Sequence, residues 1–228
     1  MLPRRYPLAL AGILVPIVLV AGCGGDEPTM STRYSLPASV KSLKVTGEVG
    51  EVTVTAKRGA SKIAVKESRT EKAKPSHVAT GPSASLKYDC PGGFSFDTCR
   101  VDYDITVPTN VGVNVDNSTG QITLTGPLSN ADASADAGQI KGNSLGPGPV
   151  SASTSGGEVD LTFTSPPSNV KASTNAGDTQ ITVPGNASYQ VKADAKIGDT
   201  NVDVPTDPTA QNRIEATTDA GTVTVKKG

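Results

Sequence analysis

The residues Val20-Ala21-Gly22-Cys23 specify a chemistry more directly than any other segment of the chain. Cys23 follows small residues at the end of an apolar run, Leu8 to Leu19, which is itself preceded by Arg4 and Arg5. A basic start, an apolar stretch and small residues before a cleavage point are the parts of an export leader. A cysteine at that point reads as a bacterial lipobox, with Cys23 the acceptor of a thioether-linked, palmitate-class lipid. The competing reading is a transmembrane anchor, but the run falls short of the roughly 20 residues that span a bilayer, and Pro16 interrupts it. The expected division is therefore a signal peptide over residues 1–22, a lipidated tether over 23–39 and a folded domain over 40–228. The expected address is the extracytoplasmic face of the cell membrane.

Three cysteines are present. With Cys23 lipidated, Cys90 and Cys99 remain as a pair on the oxidising side of the membrane, where disulfides persist. Closing a loop of about ten residues stabilises a fold by roughly 2.5 to 3 kcal/mol in chain-entropy terms. A metal or redox pair lacks companions, since His77 is the single histidine and the spacing is not C-x-x-C.

Catalytic signals are sparse. One histidine in a charged stretch does not readily supply the base and orienting groups of a Ser-His-Asp site, and no G-x-S-x-G turn occurs. A polysaccharide-active β-repeat enzyme would need clustered carboxylates, for which Asp160, Asp199 and Asp203 are the candidates. Asp116, Asp136, Asn175 and Asp219, each shortly before a glycine, would form the oxygen ligands of a calcium column, interrupted by Lys196. No calcium-loop spacing accompanies them, so turn capping accounts for them better. No cofactor or metal is assigned. The formal net charge of −1, with no long basic block, disfavours nucleic acid as a partner.

The elements that must carry these residues are strands. There is no Trp, aromatic residues make up 4% of the chain, and Val, Ala, Leu and Ile supply most of the apolar content. Strand patterns begin at Val40 and continue through Val49–Val54 and Ile63–Val65. The charged run Lys66 to Pro75 reads as a solvated excursion, and Val101–Val107 as a strand beside the cysteine pair. From Val113 onward the chain repeats itself. Glycines at 120, 138, 157, 177, 198 and 221 recur at intervals of 18 to 23 residues. Each is followed by a short alternating strand such as Gly177-Asp178-Thr179-Gln180-Ile181-Thr182-Val183. Each is preceded by another strand, such as the one containing Val170 and Ala172.

Two short strands, a glycine turn and a Pro-rich loop account for a period of about twenty residues. One such repeat cannot bury its apolar face alone, but stacked repeats can. The expected architecture is all-β, a β-solenoid with alanine-rich strands facing Ile, Val and Leu. The alternative is an antiparallel β meander or sandwich built from hairpins. Lys226 and Lys227 after the last strand suit protection of a terminal edge.

With these glycine turns, and Val107-Pro108 followed by a strand and then the repeats, the chain resembles a bacterial adhesin-like family of extracytoplasmic β-repeat domains over Val40 to Gly228. The resemblance implies an envelope location and a binding role, and it carries over no site residue. The expected function is a non-enzymatic, lipid-anchored adhesin-like or scaffold module. The outward residues Gln121, Thr123, Gln180, Thr182, Asn201, Asp203, Thr222 and Thr224 would present a flat polar face to a cell-wall glycan or an envelope protein. An enzyme on polysaccharide and an accessory sensor of envelope stress are the other readings. Intact mass should show one lipidated cysteine, and alkylation should label Cys90 and Cys99 only after reduction. Two alkylatable thiols in the native protein would contradict the pairing.

Overall fold

A computed structural model describes residues 30–89 and 99–228. The leader, Cys23 and Cys90 lie outside these residues, as do residues 23–29 of the expected tether. The described chain is all strand, turn and loop. It opens with β1 (Met30–Ser35), β2 (Ser42–Val49), β3 (Val52–Lys57), β4 (Ala64–Arg69), β5 (Lys74–Thr80), β6 (Ser83–Asp89) and β7 (Val101–Pro108). Six two-strand coils follow: β8 (Gly112–Thr119) with β9 (Ile122–Thr125), β10 (Asn130–Ala137) with β11 (Ile140–Leu145), β12 (Val150–Gly156) with β13 (Val159–Phe163), β14 (Asn169–Ala176) with β15 (Thr179–Val183), β16 (Gln190–Ile197) with β17 (Thr200–Asp203), and β18 (Arg213–Ala220) with β19 (Val223–Lys227). Every coil contributes one strand to each of two sheets. Sheet A runs β1-β4-β7-β3-β9-β11-β13-β15-β19-β17, and sheet B runs β16-β18-β14-β12-β10-β8-β2-β6-β5.

Neighbouring coils pair in parallel, as in Ala133 opposite Ala152 and Asp160 opposite Gln180. Parallel stacking identifies the β-solenoid and excludes the hairpin meander. Period-2 alternation places the apolar residues between the sheets. Sheet B contributes small side chains, with Ala133, Ala152, Ala172 and Ala216 at most 2% exposed. Sheet A contributes Ile122, Leu124, Ile140, Leu161 and Ile181, all fully buried. Each large aliphatic side chain buried this way is worth about 1.5–3 kcal/mol, so a thin interior still binds the layers together.

The glycine turns have a steric cause. Gly138, Gly157, Gly177 and Gly221 all have φ between +135° and +151°. Each of their N–H groups donates to a carbonyl of the adjoining coil, as in Gly138 N to Gly156 O at 2.8 Å and Gly157 N to Ala176 O at 2.9 Å. The opposite side of each turn is just as close: a Cβ on Gly157 would lie 2.2 Å from Gly138 O, and one on Gly177 2.1 Å from Gly157 O. Polar side chains inside the stack use the same carbonyls. Asn117 Nδ2 donates to Gly50 O, Thr154 Oγ1 to Gly138 O, Thr174 Oγ1 to Gly157 O and Thr218 Oγ1 to Gly177 O, at 2.9 to 3.2 Å. These buried donors are thereby paired, while Asn117 Oδ1 accepts no hydrogen bond among the described residues.

Three expectations change. First, the last two coils do not stack in sequence order. The β18–β19 coil is inserted between β14–β15 and β16–β17. Lys226 and Lys227 therefore sit on an interior strand, Lys226 donating to Gln180 Oε1 at 3.1 Å and Lys227 facing Asp203 at 3.6 Å. The physical reason is composition. Ile214, Ala216, Val223 and Val225 are fully buried in the inserted coil, while Lys192, Asp194, Lys196, Asp199 and Asp203 mark the β16–β17 coil as the one that tolerates water.

Second, residues 30–36 belong to the domain and not to the tether. β1 pairs antiparallel with β4 from Met30–Arg69 to Ser35–Ala64, and Leu36 is buried. Third, the run from Lys66 is no excursion, because β4 holds its first four residues and β5 begins at Lys74. Its alternation turns Lys66 and Ser68 outward and Glu67 inward.

Alanine at Gly157 should cost at least about 3 kcal/mol in urea unfolding, through strain at positive φ together with a backbone clash. Alanine at Gly59, whose added Cβ meets nothing within 4 Å, should cost about 1–2 kcal/mol. Equal costs would contradict the close-approach argument.

Candidate functional site

The outer face of sheet A carries the expected polar surface. Strand register aligns Asp104, Thr53, Thr123, Lys141, Asp160 and Gln180 in one row, which continues through Thr224 to Asn201. Thr182, Lys226 and Asp203 lie together in the next row. Hydrogen bonds tie the first row laterally, as in Gln180 Nε2 to Asp160 Oδ1 at 3.4 Å. Seven of the eight expected residues are brought together here, Gln121 through its Nε2, which donates to Thr123 Oγ1 at 3.1 Å. Thr222 instead occupies the glycine arc, where its N–H donates to Asp178 Oδ1 at 2.7 Å.

The candidate carboxylates are not brought together. Asp160 on β13 and Asp203 on β17 are separated by β15 and β19, three strand spacings or about 14 Å. Paired glycosidase carboxylates lie about 5–9.5 Å apart. Asp203 faces Lys227, and Asp199 lies in the turn before β17. The calcium column is broken at its first member, while Asp136, Asn175 and Asp219 keep one level on β10, β14 and β18. Asp116 is level with Ser134, whose hydroxyl donates to it at 3.2 Å, whereas Asp136 lies two residues further along. Asp219 is taken by Lys196 Nζ at 2.7 Å. Among the described residues no group of three or more His, Cys, Asp or Glu side chains is arranged to hold a metal ion. Cys99 is buried just before β7, while its expected partner Cys90 lies outside the described residues.

The cluster that sequence reading missed lies at the first end of the solenoid, between the edge strands β1 and β5. Register places Glu67 opposite both Thr32 and Tyr103 on the inner side of sheet A. Glu67 is only 6% exposed and accepts a hydrogen bond from Tyr34 Oη at 3.4 Å. The Tyr34 ring stacks on His77 of β5, with centroids 4.3 Å apart and planes 17° from parallel. Tyr103 is 2% exposed, and its hydroxyl has no hydrogen-bond partner among the described residues. Arg69 Nη1 donates to Ala73 O at 3.0 Å. Thr32, Tyr34, Glu67, Arg69, Lys74 and His77 line an open cleft of about 510 Å³.

Burial dominates the electrostatics of this cluster. It raises the Glu67 carboxyl above its ordinary value, against the opposing effects of the Tyr34 hydrogen bond and the charges of Arg69 and His77. Burial also raises the Tyr34 and Tyr103 hydroxyls, with Glu67 adding to both shifts. Tyr88 is pushed up to about 12, chiefly by burial, while its hydroxyl bonds the Val49 backbone. The one legible signal was the alternation Ile63-x-Val65-x-Glu67, which aims a carboxylate into the core. Its partners come from strands far apart in sequence.

A raised folded-state pKa at Glu67 means stability that is complete below the ordinary glutamate range and is lost as pH rises through the raised value. Glu67→Gln removes this loss. The melting temperature of the variant relative to wild type should therefore rise as pH climbs above the ordinary glutamate range. A difference independent of pH would contradict the assignment.

The sequence profile of the Toastrack DUF4097 family matches residues 35–226. Among solved structures, a candidate cell adhesion protein from Clostridium sporogenes is similar at 13% identity and a TM-score of 0.48, covering 88% of this chain and all of the other. A candidate adhesin from Bacteroides fragilis is similar at 15% identity and a TM-score of 0.34, covering 91% and 100%. A candidate lipid binding protein from Parabacteroides distasonis is similar at 12% identity and a TM-score of 0.32, covering 90% and 97%. No curated protein matches the chain. With nearly all of its described β-structure inside the matched span, the chain belongs to the Toastrack DUF4097 family.

Proposed function

We propose that the chain is a lipid-anchored protein of the extracytoplasmic face of the cell membrane, a non-enzymatic binding or scaffold module. In this reading residues 1–22 are removed, Cys23 carries the lipid, and a Cys90–Cys99 disulfide braces the segment before β7. The outer face of sheet A holds the partner, an envelope protein in preference to a cell-wall glycan.

The observation that carries this reading is the in-register polar row from Asp104 to Asn201. Parallel stacking repeats one backbone position strand after strand, so the row offers donors and acceptors at a fixed spacing of about 4.8 Å. A rigid array of this kind loses little conformational entropy on binding. The choice of a protein over a glycan rests on the aromatic residues: Tyr88, Tyr103, Phe163 and Tyr189 are buried, which leaves none of them to serve as a sugar-stacking platform.

The test is retention of solubilised envelope proteins and purified cell wall on the immobilised full chain. Saturable retention should fall about tenfold when Gln180 and Thr224 are both changed to Arg, the loss expected for a central contact. Ser153→Arg on sheet B should leave it unchanged. Retention indifferent to the sheet A substitutions, or release of glycan fragments from the wall, would overturn the proposal.

A further inference from the structure

We propose that the cleft between β1 and β5 is a binding site for an organic ammonium group, the chemical class of ethanolamine and other small alkylamines. Glu67 has more hydrogen-bond acceptor sites than the protein fills. An ionised carboxylate offers about four lone-pair sites, and Glu67, though 6% exposed, receives one long hydrogen bond at 3.4 Å from Tyr34. Tyr103, its direct neighbour on β7, holds a buried hydroxyl oxygen with no partner among the described residues. Buried polar groups are ordinarily paired. An ammonium group brings three donors and no acceptor, which is the complement of the Glu67 carboxylate that lines the cleft.

The rings beside the carboxylate point to the same ligand. Tyr34 and His77 stack face to face at the mouth of the cleft, and the electron-rich face of a tyrosine attracts a cation lying within about 6 Å. A buried carboxylate also repels anions from the inner end. The rim carries Arg69 and Lys74 beside Glu71, so a hydroxyl substituent on the same ligand meets both donors and an acceptor there. A cleft of about 510 Å³ has the size of a small-molecule site. The site is separate from the sheet A face, and neither depends on the other.

Two sources supply this chemistry: a phospholipid headgroup and a soluble amine. The cleft borders β1, the first described strand after the expected lipid attachment point, so both have access to it. The experiment is calorimetric titration of the purified full chain, in non-ionic detergent, with ethanolamine and separately with inorganic phosphate.

Ethanolamine should saturate, and Glu67→Gln should weaken its binding about tenfold, the scale of a hydrogen bond to a charged group. Tyr34→Leu, which removes a ring that lines the cleft, should weaken it about fivefold. A residue with a purely structural role would move the melting temperature and leave the affinity alone. Flotation of the full chain with phosphatidylethanolamine vesicles, compared with phosphatidylglycerol vesicles, then separates the two sources. Failure of ethanolamine to saturate, unchanged affinity in both variants, or tighter binding of phosphate than of ethanolamine would each overturn the proposal.

Discussion

Backbone meets backbone along one edge of this molecule, and the rest of the stack depends on that contact. The carbonyl of each arc glycine lies so close to the next glycine Cα that an added Cβ would come within about 2 Å of it, as at Gly138, Gly157, Gly177 and Gly221. The close approach fixes the rise from coil to coil and keeps the parallel ladders in register. It also lets Thr154, Thr174 and Thr218 reach the carbonyls of Gly138, Gly157 and Gly177 from inside. A flat outer face follows from the same constraint, because each position in one coil stands beside its equivalent in the next. The polar row on sheet A is thus a geometric product of the glycine column.

Regular stacking ends differently at the two ends of the molecule. At one end the β16–β17 coil exposes Ile197 and Val202 but surrounds them with alternating Lys and Asp, and the more apolar β18–β19 coil lies beneath it. This order minimises the apolar surface left to water and places charge on the open edge. At the other end the chain abandons parallel coils: β1, β4 and β7 run antiparallel in succession, as do β5 and β6. The irregular end is where Glu67, Tyr34, Tyr103 and His77 meet. Ionisable and orphaned groups gather where the repeat no longer dictates what each position must be.

Much of the architecture was legible in the sequence, because a repeat states its own geometry. The recurring glycines located the turns, and pairs such as Val170 and Ala172 located the inward face. Gln180, Thr182 and Thr224 were correctly placed on the outer face by alternation alone. Thr222 was not, since it follows the glycine, where its N–H turns to Asp178 Oδ1. The order of the last two coils was hidden, because both carry the same signature and only the burial available to Ile214 as against Val191 separates them. The cleft was hidden for a different reason: Tyr34, Glu67, His77 and Tyr103 meet only through antiparallel pairing of strands distant in sequence, and the charges around Glu67 disguised β4 as a loop.

The account stands on the claim that one face of the solenoid, the outer side of sheet A, is the contact surface of an envelope-tethered binding module. Site-specific photo-crosslinking in living cells tests this most directly, with the crosslinker placed in turn at Lys141, Gln180 and Ser153. The account predicts one common adduct from Lys141 and Gln180 and none from Ser153 on sheet B. Equal adducts from both faces, or none from sheet A, would contradict it.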